Sequence, residues 1–305
     1  MSPRFLGWHY KNHTEPLGLR STCLRSTIYP LFTVKFTLPI NRRLRVSDEN
    51  RISELTSTEG IRLGQADVVL LTKNSGRMLT RCLNSIYQTI PIHQLIVIDG
   101  YSTDSTVNIL KEFDARYHNV KVIYDSGTRA TARQKGIENV ETEWFVFVDS
   151  DVVLCKNWYE KAVSHASKRV GAVWGVEVWS TITNPATLKV FLWITRKIFE
   201  LRGGTHDILV RTRLVSDIRI PANLHVFEDA YVKDWIQRKG FLVVAAYDPF
   251  CIHYRPRVVW TFHGSVNLIV DAVRFGNLRL LSKLAFAYGF YTAYSIYQLL
   301  SGTNE

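Results

Sequence analysis

The sequence predicts an α/β fold, an open and mostly parallel twisted sheet with helices on both faces. Short apolar runs suited to buried strands alternate with segments of helical periodicity between residues 66 and 152. Polar residues follow three of these strands, where a ligand would bind. With 305 residues, 46% of them hydrophobic, the chain can bury a large core without disulfides or a structural metal.

Four strands and three helices account for this part of the chain. The first strand, "ADVVLLT", is an apolar run between polar residues, and the following helix places Leu79, Leu83 and Ile86 on one face before Pro91 ends it. The predicted strands are 66–72, 94–100, 120–124 and 144–152, and the predicted helices are 77–90, 102–117 and 128–140. Parallel strands joined by right-handed helical crossovers accommodate this β-α-β-α-β-α-β order.

The polar clusters that follow the strands predict a ligand site. They lie at residues 72–75, at Asp99-Gly100 and at residues 149–151. Because ligands bind outside the carboxyl ends of strands in open α/β sheets, we expect these clusters to share one rim. A dinucleotide-binding glycine loop is not indicated, since the segment after the first strand contains only Gly76.

The D-x-D pair Asp149 and Asp151 predicts a divalent metal at this rim. Two carboxylates at positions i and i+2 of a turning chain can reach one hard cation, and Mg²⁺ or Mn²⁺ bound there can bridge phosphates. Taken alone, the pair fits equally well with residues that end a strand in a turn. Asp99 adds a third carboxylate at the same predicted rim.

Composition restricts the class of partner. The formal net charge of +11 predicts an anionic partner such as a phosphorylated molecule or an anionic membrane face. The basic residues form no block with interleaved aromatics, so we expect no nucleic acid. The four cysteines lie far apart without a C-x-x-C pair, which argues against a zinc knuckle and favours buried, reduced thiols in the cytoplasm.

The two ends of the chain differ from the middle. Residues 1–62 are basic with little periodicity and predict a poorly ordered extension, whereas residues 63–256 form the α/β domain. Residues 257–305 combine basic residues with an uncharged run at 284–300. We expect amphipathic and apolar helices there that pack on the core or lie on an anionic membrane surface, because the run is short for a spanning helix.

Four stretches resemble, in order and spacing, the family 2 glycosyltransferases, which have the GT-A fold. They are "VVLLTKNSGRMLTRCLNSI", "IVIDGYSTDST", "ATARQKGIENVETEWFVFVDSDV" and "VFEDAYVKDWIQRKGF", within about residues 66–255. The resemblance implies transfer of a sugar from a nucleotide-sugar donor, with inversion and with Mn²⁺ or Mg²⁺ bound. It also implies a nucleotide-sugar half at residues 63–152 and an acceptor half at residues 153–256.

The resemblance implies roles for individual residues. Asp229 would be the general base that deprotonates the acceptor hydroxyl, and Glu228 would orient the acceptor, although acidic residues also suit any first helical turn. His253 would join Asp149 and Asp151 around the metal, although a lone histidine is as often structural. The donor-binding residues implied are Thr72, Asn74, Asp99, Arg133, Asp149 and Ser150.

Departures from the family pattern shape the expected function. Gly100-Tyr101 stands where relatives often have a second aspartate and a glycine. The Gln-x-x-Arg-Trp block of processive members does not occur, which predicts addition of one sugar to a glycan or to a lipid-linked hydroxyl or phosphate. We expect an enzyme peripheral to the cytoplasmic face of a membrane. The alternatives are a degenerate module that serves as a membrane-docking scaffold, and a nucleotidyltransferase.

Overall fold

The computed structural model describes residues 64–182, 184–254, 262–275 and 278–283, with residues 285, 289, 293, 296 and 297. Every described residue lies in one compact unit, Thr58–Glu305. The predicted extension at residues 1–62 and most of the run at 284–300 lie outside the described residues. The predicted division into three regions therefore stays a prediction.

The first half of the described chain alternates strands and helices as the sequence predicts. The elements are β1 (Ala66–Thr72), α1 (Gly76–Thr89), β2 (Ile92–Asp99), α2 (Thr106–Tyr117), β3 (Val120–Tyr124), α3 (Arg129–Glu138) and β4 (Trp144–Asp149). β1 pairs in parallel with β2 and β4, and β2 pairs in parallel with β3. Local signals set the helix ends: Thr128 Oγ1 accepts a hydrogen bond from the backbone N–H of Thr131 where α3 begins.

The second half completes a mixed sheet. Its elements are β5 (Val152–Leu154), α4 (Trp158–Ser164), β6 (Val170–Trp179), α5 (Pro185–Leu201), β7 (Asp207–Arg211), α6 (Thr212–Val215), α7 (Glu228–Arg238), β8 (Leu242–His253) and α8 (Phe262–Arg274). The eight strands of the described residues run in the order β3-β2-β1-β4-β7-β6-β8-β5. β7 is antiparallel to β4 and β6, and β5 is antiparallel to β8, whereas β6 and β8 are parallel. The predicted fold class is confirmed.

Helices cover both faces of the sheet because its central strands are apolar on both sides. Val68 and Leu70 of β1 pack in one cluster with Leu83 of α1, whereas Val69 belongs to the cluster on the other face, which includes residues of α3. A Cβ atom at Gly136 would lie only 2.3 Å from Cγ1 of Val69. Glycine at this position therefore allows α3 to lie directly on the strand that leads to the site.

Strand register brings the predicted polar clusters together. Leu71 lies opposite Asp149, Thr72 lies opposite Asp99, and Asp99 lies opposite Tyr124. The carboxyl ends of the first four strands consequently meet at one rim, as the sequence predicts.

The second half contributes His253 to the same rim. Val152 of β5 lies opposite His253 of β8, so the histidine stands beside the turn that contains Asp151. The run "FLVVAAYDP" at residues 241–249 predicts a strand that ends before His253, and this prediction is wrong. Pairing with β5 and β6 extends that strand, and His253 is its last residue.

Helix α8 has two unlike faces. Asp271 is fully buried, and its Oδ2 accepts hydrogen bonds from the backbone N–H groups of His225 and Val226, at 2.7 and 2.8 Å. The opposite face exposes four apolar residues in helical register, Val266, Ile269, Val270 and Val273. Among the helices of the described residues, none is long and apolar enough to cross a membrane.

Candidate active site

A cavity of about 690 Å³ opens at the rim where β1, β2 and β4 end. The predicted site residues in its wall are Thr72, Asn74, Arg133, Asp149, Ser150, Asp151 and His253, and three further basic residues, Lys73, Arg77 and Arg129, also line it. The remaining predicted residues, Asp99, Glu228 and Asp229, are buried and are not among the lining residues. The wall thus combines carboxylates with several cations, as binding of a metal and phosphates requires.

Asp151, His253 and Glu177 form a chain of contacts at one side of this cavity. His253 Nε2 lies 3.1 Å from Asp151 Oδ1, and His253 Nδ1 lies 2.7 Å from Glu177 Oε2. Glu177 and His253 are both buried, whereas the side chain of Asp151 is 38% exposed. A carboxylate that bonds one ring nitrogen fixes the orientation and tautomer of the imidazole, which is how proteins support histidine ligands of metals.

The Asp151–His253 contact fits a shared divalent cation. In the neutral tautomer that carries its hydrogen on Nδ1, facing Glu177, the imidazole presents a lone pair at Nε2 toward the lone pairs of Asp151. A cation or a second ring proton would satisfy both atoms. Two adjacent ligands of an octahedral ion at ~2.1 Å stand about 3 Å apart, which matches the 3.1 Å between Nε2 and Oδ1.

Asp149 is held by Arg133. Arg133 Nη2 lies 3.3 Å from Asp149 Oδ1, and the backbone N–H of Asp149 donates to the carbonyl of His206. Burial by itself would raise the pKa of Asp149, but Arg133, with smaller contributions from His206 and His253, outweighs it and lowers that pKa. Asp149 is therefore ionised at neutral pH and can act as a metal or donor ligand.

Arg133 also reaches the predicted acceptor motif. Its Nε lies 3.6 Å from Oε1 of Glu228, so one guanidinium contacts both Asp149 and Glu228. The Arg133 side chain is only 3% exposed, and its Nε and Nη1 donate no hydrogen bond to any described residue. Unpaired buried N–H groups are costly. Nη1 thus has no hydrogen-bond partner among the described residues, whereas Nε faces Glu228, and Arg133 as a whole belongs to the cavity wall.

Glu228 and Asp229 begin α7, as the sequence predicts, in different surroundings. Arg202 Nε donates to both carboxylate oxygens of Asp229, at 3.0 and 2.9 Å, and the backbone N–H of Ala230 donates to Oδ1. Burial, followed by the charge of Asp229, raises the pKa of Glu228 although Arg133 opposes the shift. Oε2 of Glu228 accepts no hydrogen bond from the described residues.

Asp99 is buried beneath the rim and accepts hydrogen bonds from the end of β1 and from the loop after β2. Its Oδ2 accepts from the hydroxyls of Thr72 and Ser102, at 2.8 and 2.6 Å, and its Oδ1 accepts from the backbone N–H of Ser102 at 2.8 Å. Asn74, with φ of 50°, accepts the backbone N–H of Thr103 on its Oδ1. Asp99 therefore fixes the loop after β2, and its direct contact with a nucleoside stays a prediction.

Ser150 links the D-x-D turn to the first helix. Its hydroxyl lies 2.8 Å from the hydroxyl of Ser75, the residue before α1. The contact ties the end of β4 to the loop after β1. Ser150 thus has a structural partner at the cavity wall, and its predicted donor contact is untested.

Three buried residues behind the D-x-D strand form a cluster that the sequence did not reveal. One ligand atom from each of His206, Asp207 and Cys251 lies within 4.8 Å of the others. His206 Nδ1 and Asp207 Oδ1 are 2.6 Å apart, and Trp158 donates to Asp207 Oδ2 at 2.9 Å. These distances describe a hydrogen-bonded pair in the core.

Two functional contacts were missed by the sequence analysis. Glu177 lies within the apolar strand "VGAVWGVEVW", where a lone carboxylate at a buried position was a usable signal. Arg202 gave no such signal, because nothing near it in the sequence indicates that it will meet Asp229.

Comparison with known proteins gives a consistent result. Residues 67–212 match the family described as glycosyl transferase family 2. The poly(ribitol-phosphate) beta-glucosyltransferase of Bacillus spizizenii is 25% identical over 242 residues, which are 71% of this chain and 38% of that relative. The chain therefore spans well under half the length of this curated relative.

Solved structures support the fold. The mannosyltransferase PcManGT from Pyrobaculum calidifontis, in complex with GDP-Man and Mn²⁺, aligns with a TM-score of 0.56 at 15% identity over 80% of each chain. S. aureus TarS 1-349, in complex with UDP-GlcNAc, aligns with a TM-score of 0.51 at 20% identity, over 68% of this chain and 66% of TarS. At these identities the likeness concerns the fold alone.

Proposed function

We propose that this chain, whose residues 67–212 match glycosyl transferase family 2 and which has the GT-A fold, transfers one sugar from a nucleotide-diphosphate sugar to an acceptor, with inversion and with a divalent metal. The observation that carries the proposal is the Glu177–His253–Asp151 chain, which stands in the same cavity wall as Arg133 and Asp149. Metal ligands and an unpaired guanidinium donor in one cavity suit a diphosphate.

Asp151 and His253 would hold the metal, with Asp149 beside them. When bound, the ion supplies positive charge that stabilises the departing diphosphate. A mixed imidazole and carboxylate set suits Mn²⁺ better than Mg²⁺, which prefers oxygen ligands. Arg133 would donate from Nη1 to the diphosphate, while Thr72, Asn74, Asp99 and Ser150 would shape the donor end of the cavity.

Asp229 is the proposed general base. It accepts the proton of the acceptor hydroxyl as that oxygen bonds to the anomeric carbon, and the bond from this carbon to the diphosphate oxygen breaks. Arg202 and the Ala230 N–H occupy three of its roughly four lone-pair sites. Oδ2 accepts from Arg202 Nε with one lone pair, and we expect its other lone pair to accept the proton. Glu228 orients the acceptor from the neighbouring position.

The proposed acceptor is an anionic glycan or lipid-linked phosphate. The net charge of +11 would attract a polyanionic chain. The relative named a poly(ribitol-phosphate) glucosyltransferase acts, by its name, on a phosphate-bearing polymer. A screen of acceptors with one donor, comparing a neutral oligosaccharide with a phosphate polymer and a polyprenyl phosphate, tests this assignment. Equal transfer to the neutral sugar would contradict it.

We propose that α8 places the enzyme on the cytoplasmic face of a membrane. Its exposed apolar stripe is followed along the chain by three basic residues, Arg274, Arg279 and Lys283, and the one acidic residue of α8, Asp271, is buried. Such a helix suits an anionic lipid surface. Because Val273 is 61% exposed, Val273→Asp should lower binding to anionic liposomes by about tenfold. Leu242→Asp, at a similarly exposed apolar site on β8, is the control; equal binding by wild type and Val273→Asp would contradict the proposal.

One experiment tests the enzymatic proposal. The purified chain is assayed with UDP- and GDP-sugars, with and without Mn²⁺, for release of the nucleoside diphosphate. Asp151→Asn should remove the metal-dependent activity, whereas Asp229→Asn should bind the donor normally and lose transfer. Full activity in folded Asp151→Asn would refute the metal site, and absence of any nucleotide binding by calorimetry would favour the scaffold alternative.

A further inference from the structure

Two exposed tyrosines flank the cavity at the ends of neighbouring strands. Tyr101 follows β2, and Tyr124 is the last residue of β3; they are 60% and 46% exposed. Their rings stack with centroids 5.3 Å apart and planes 30° apart. Gly100 and Asp125, their chain neighbours, belong to the cavity wall. The pair therefore stands at the edge of the cavity, on the side away from Asp151.

Tyr101 adopts an unfavourable backbone conformation to stand there. Its φ of 58° lies in the left-handed region, which bulky residues avoid and glycine adopts freely. Hydrogen bonds from the backbone N–H and hydroxyl of Ser102 to Asp99 hold the loop in this shape. Packing does not account for the tyrosine, since most of its surface is exposed. A strained, exposed aromatic residue beside a ligand cavity is a candidate for ligand contact.

We propose that Tyr101 and Tyr124 form the stacking platform for the nucleobase of the donor, an inference that rests on the proposed function. β2 and β3 lie two and three strands from β4, which is about 10 and 14 Å at the usual strand spacing. A nucleoside diphosphate whose phosphates lie near Asp151 spans that distance, because a ribose and a phosphate separate its base from the terminal phosphate.

The chemistry of the two rings favours stacking at this position. The Asp99 oxygens already accept three hydrogen bonds from Thr72 and Ser102, which leaves little acceptor capacity for a base edge. Every nucleobase has a flat face, and stacking on aromatic side chains is a general way of binding it. The pair thus supplies affinity for the base that the carboxylate does not.

Calorimetric titration with UDP, GDP and inorganic pyrophosphate, each with Mn²⁺, tests the platform. Tyr101→Gly and Tyr124→Ala should each lower the affinity for whichever of UDP and GDP binds better about tenfold, and both should leave the affinity for pyrophosphate unchanged. Tyr101→Phe should bind the nucleotide as the wild type does. Tyr101→Gly should also melt no lower than the wild type, because glycine relieves the left-handed backbone. Tyr117→Ala, at an exposed residue stacked on Tyr87 and outside the cavity wall, is the control.

The possible results separate this inference from the proposed function. Wild-type affinity of Tyr101→Gly and Tyr124→Ala for the nucleotide would overturn the platform alone. Equal losses of nucleotide and pyrophosphate affinity would also overturn it, since they would indicate general damage to the site. A wild-type chain that binds neither UDP nor GDP would overturn the proposed function together with the platform.

Discussion

Replacing Glu177 with glutamine should weaken binding of Mn²⁺ although Glu177 is not a lining residue of the cavity. The change preserves the size of the side chain and removes the charge that faces His253 Nδ1 at 2.7 Å. The side chains of His253 and Glu177 are only 7% and 6% exposed, so water screens this bond little. A hydrogen bond to an ionised carboxylate is about twice as strong as a neutral one. We expect the binding free energy of Mn²⁺ to fall by ~1.4–2.8 kcal/mol, which is a ten- to hundredfold lower affinity. Replacing a carboxylate that supports a metal ligand typically has an effect of this size.

The assay is titration of Mn²⁺ into the protein, followed by calorimetry or by the paramagnetic resonance of the free ion. Asp248→Asn is the matched control, since it removes a carboxylate that faces His165 Nε2 at 2.6 Å on the surface. Excess Mn²⁺ should restore the activity of Glu177→Gln, because Asp151 and His253 remain in place. An unchanged Mn²⁺ affinity in folded Glu177→Gln would refute the reasoning that this carboxylate supports a metal ligand.

Two further predictions concern stability. Because the folded-state pKa of Glu228 is raised, ionising it costs stability as the pH rises from the ordinary value of 4.5 through the folded-state pKa. Glu228→Gln should thus melt higher than the wild type near pH 8, with a difference that shrinks as the pH falls; a gap that widens on acidification would contradict this. Asp67→Ala leaves three backbone N–H groups without their acceptor, those of Gln94, Glu141 and Thr142. It should cost about 3 kcal/mol in denaturant unfolding, and a loss below about 1 kcal/mol would show that water replaces the carboxylate.

The first half of the fold was predictable because its signals are local. Each strand there is a short apolar run, and each helix shows its own periodicity and ends near a residue such as Pro91 that cannot continue it. The rim could be predicted from the parallel order of the strands alone, because the last residues of parallel strands lie at the same edge of a sheet. Asp149 and Asp151 were found in this way, whereas Arg133, on α3, followed only from the family resemblance, which also implied the roles of all three.

The second half was not predictable because its contacts are non-local. β7, which begins at Asp207, lies between β4 and β6 in the sheet although it follows both of them in the sequence. Glu177 and His253 are 76 residues apart and meet only across β6 and β8. The contact between Arg202 and Asp229 depends on how α5 and α7 pack. Periodicity contains no information about such pairs.

The Asp151–His253 contact also constrains the order in which the protein matures. The two residues are 102 positions apart (253 − 151) and are joined through the antiparallel pairing of β5 and β8. On the ribosome, β1 to β4 can pair long before β8 has been synthesised, so the part of the cavity wall that these strands form can arise first. The proposed metal ligands Asp151 and His253 meet only when residue 253 has emerged and paired. Metal affinity would then distinguish fully folded molecules from partly folded ones, and the ion would act as a late-stage stabiliser of the completed chain.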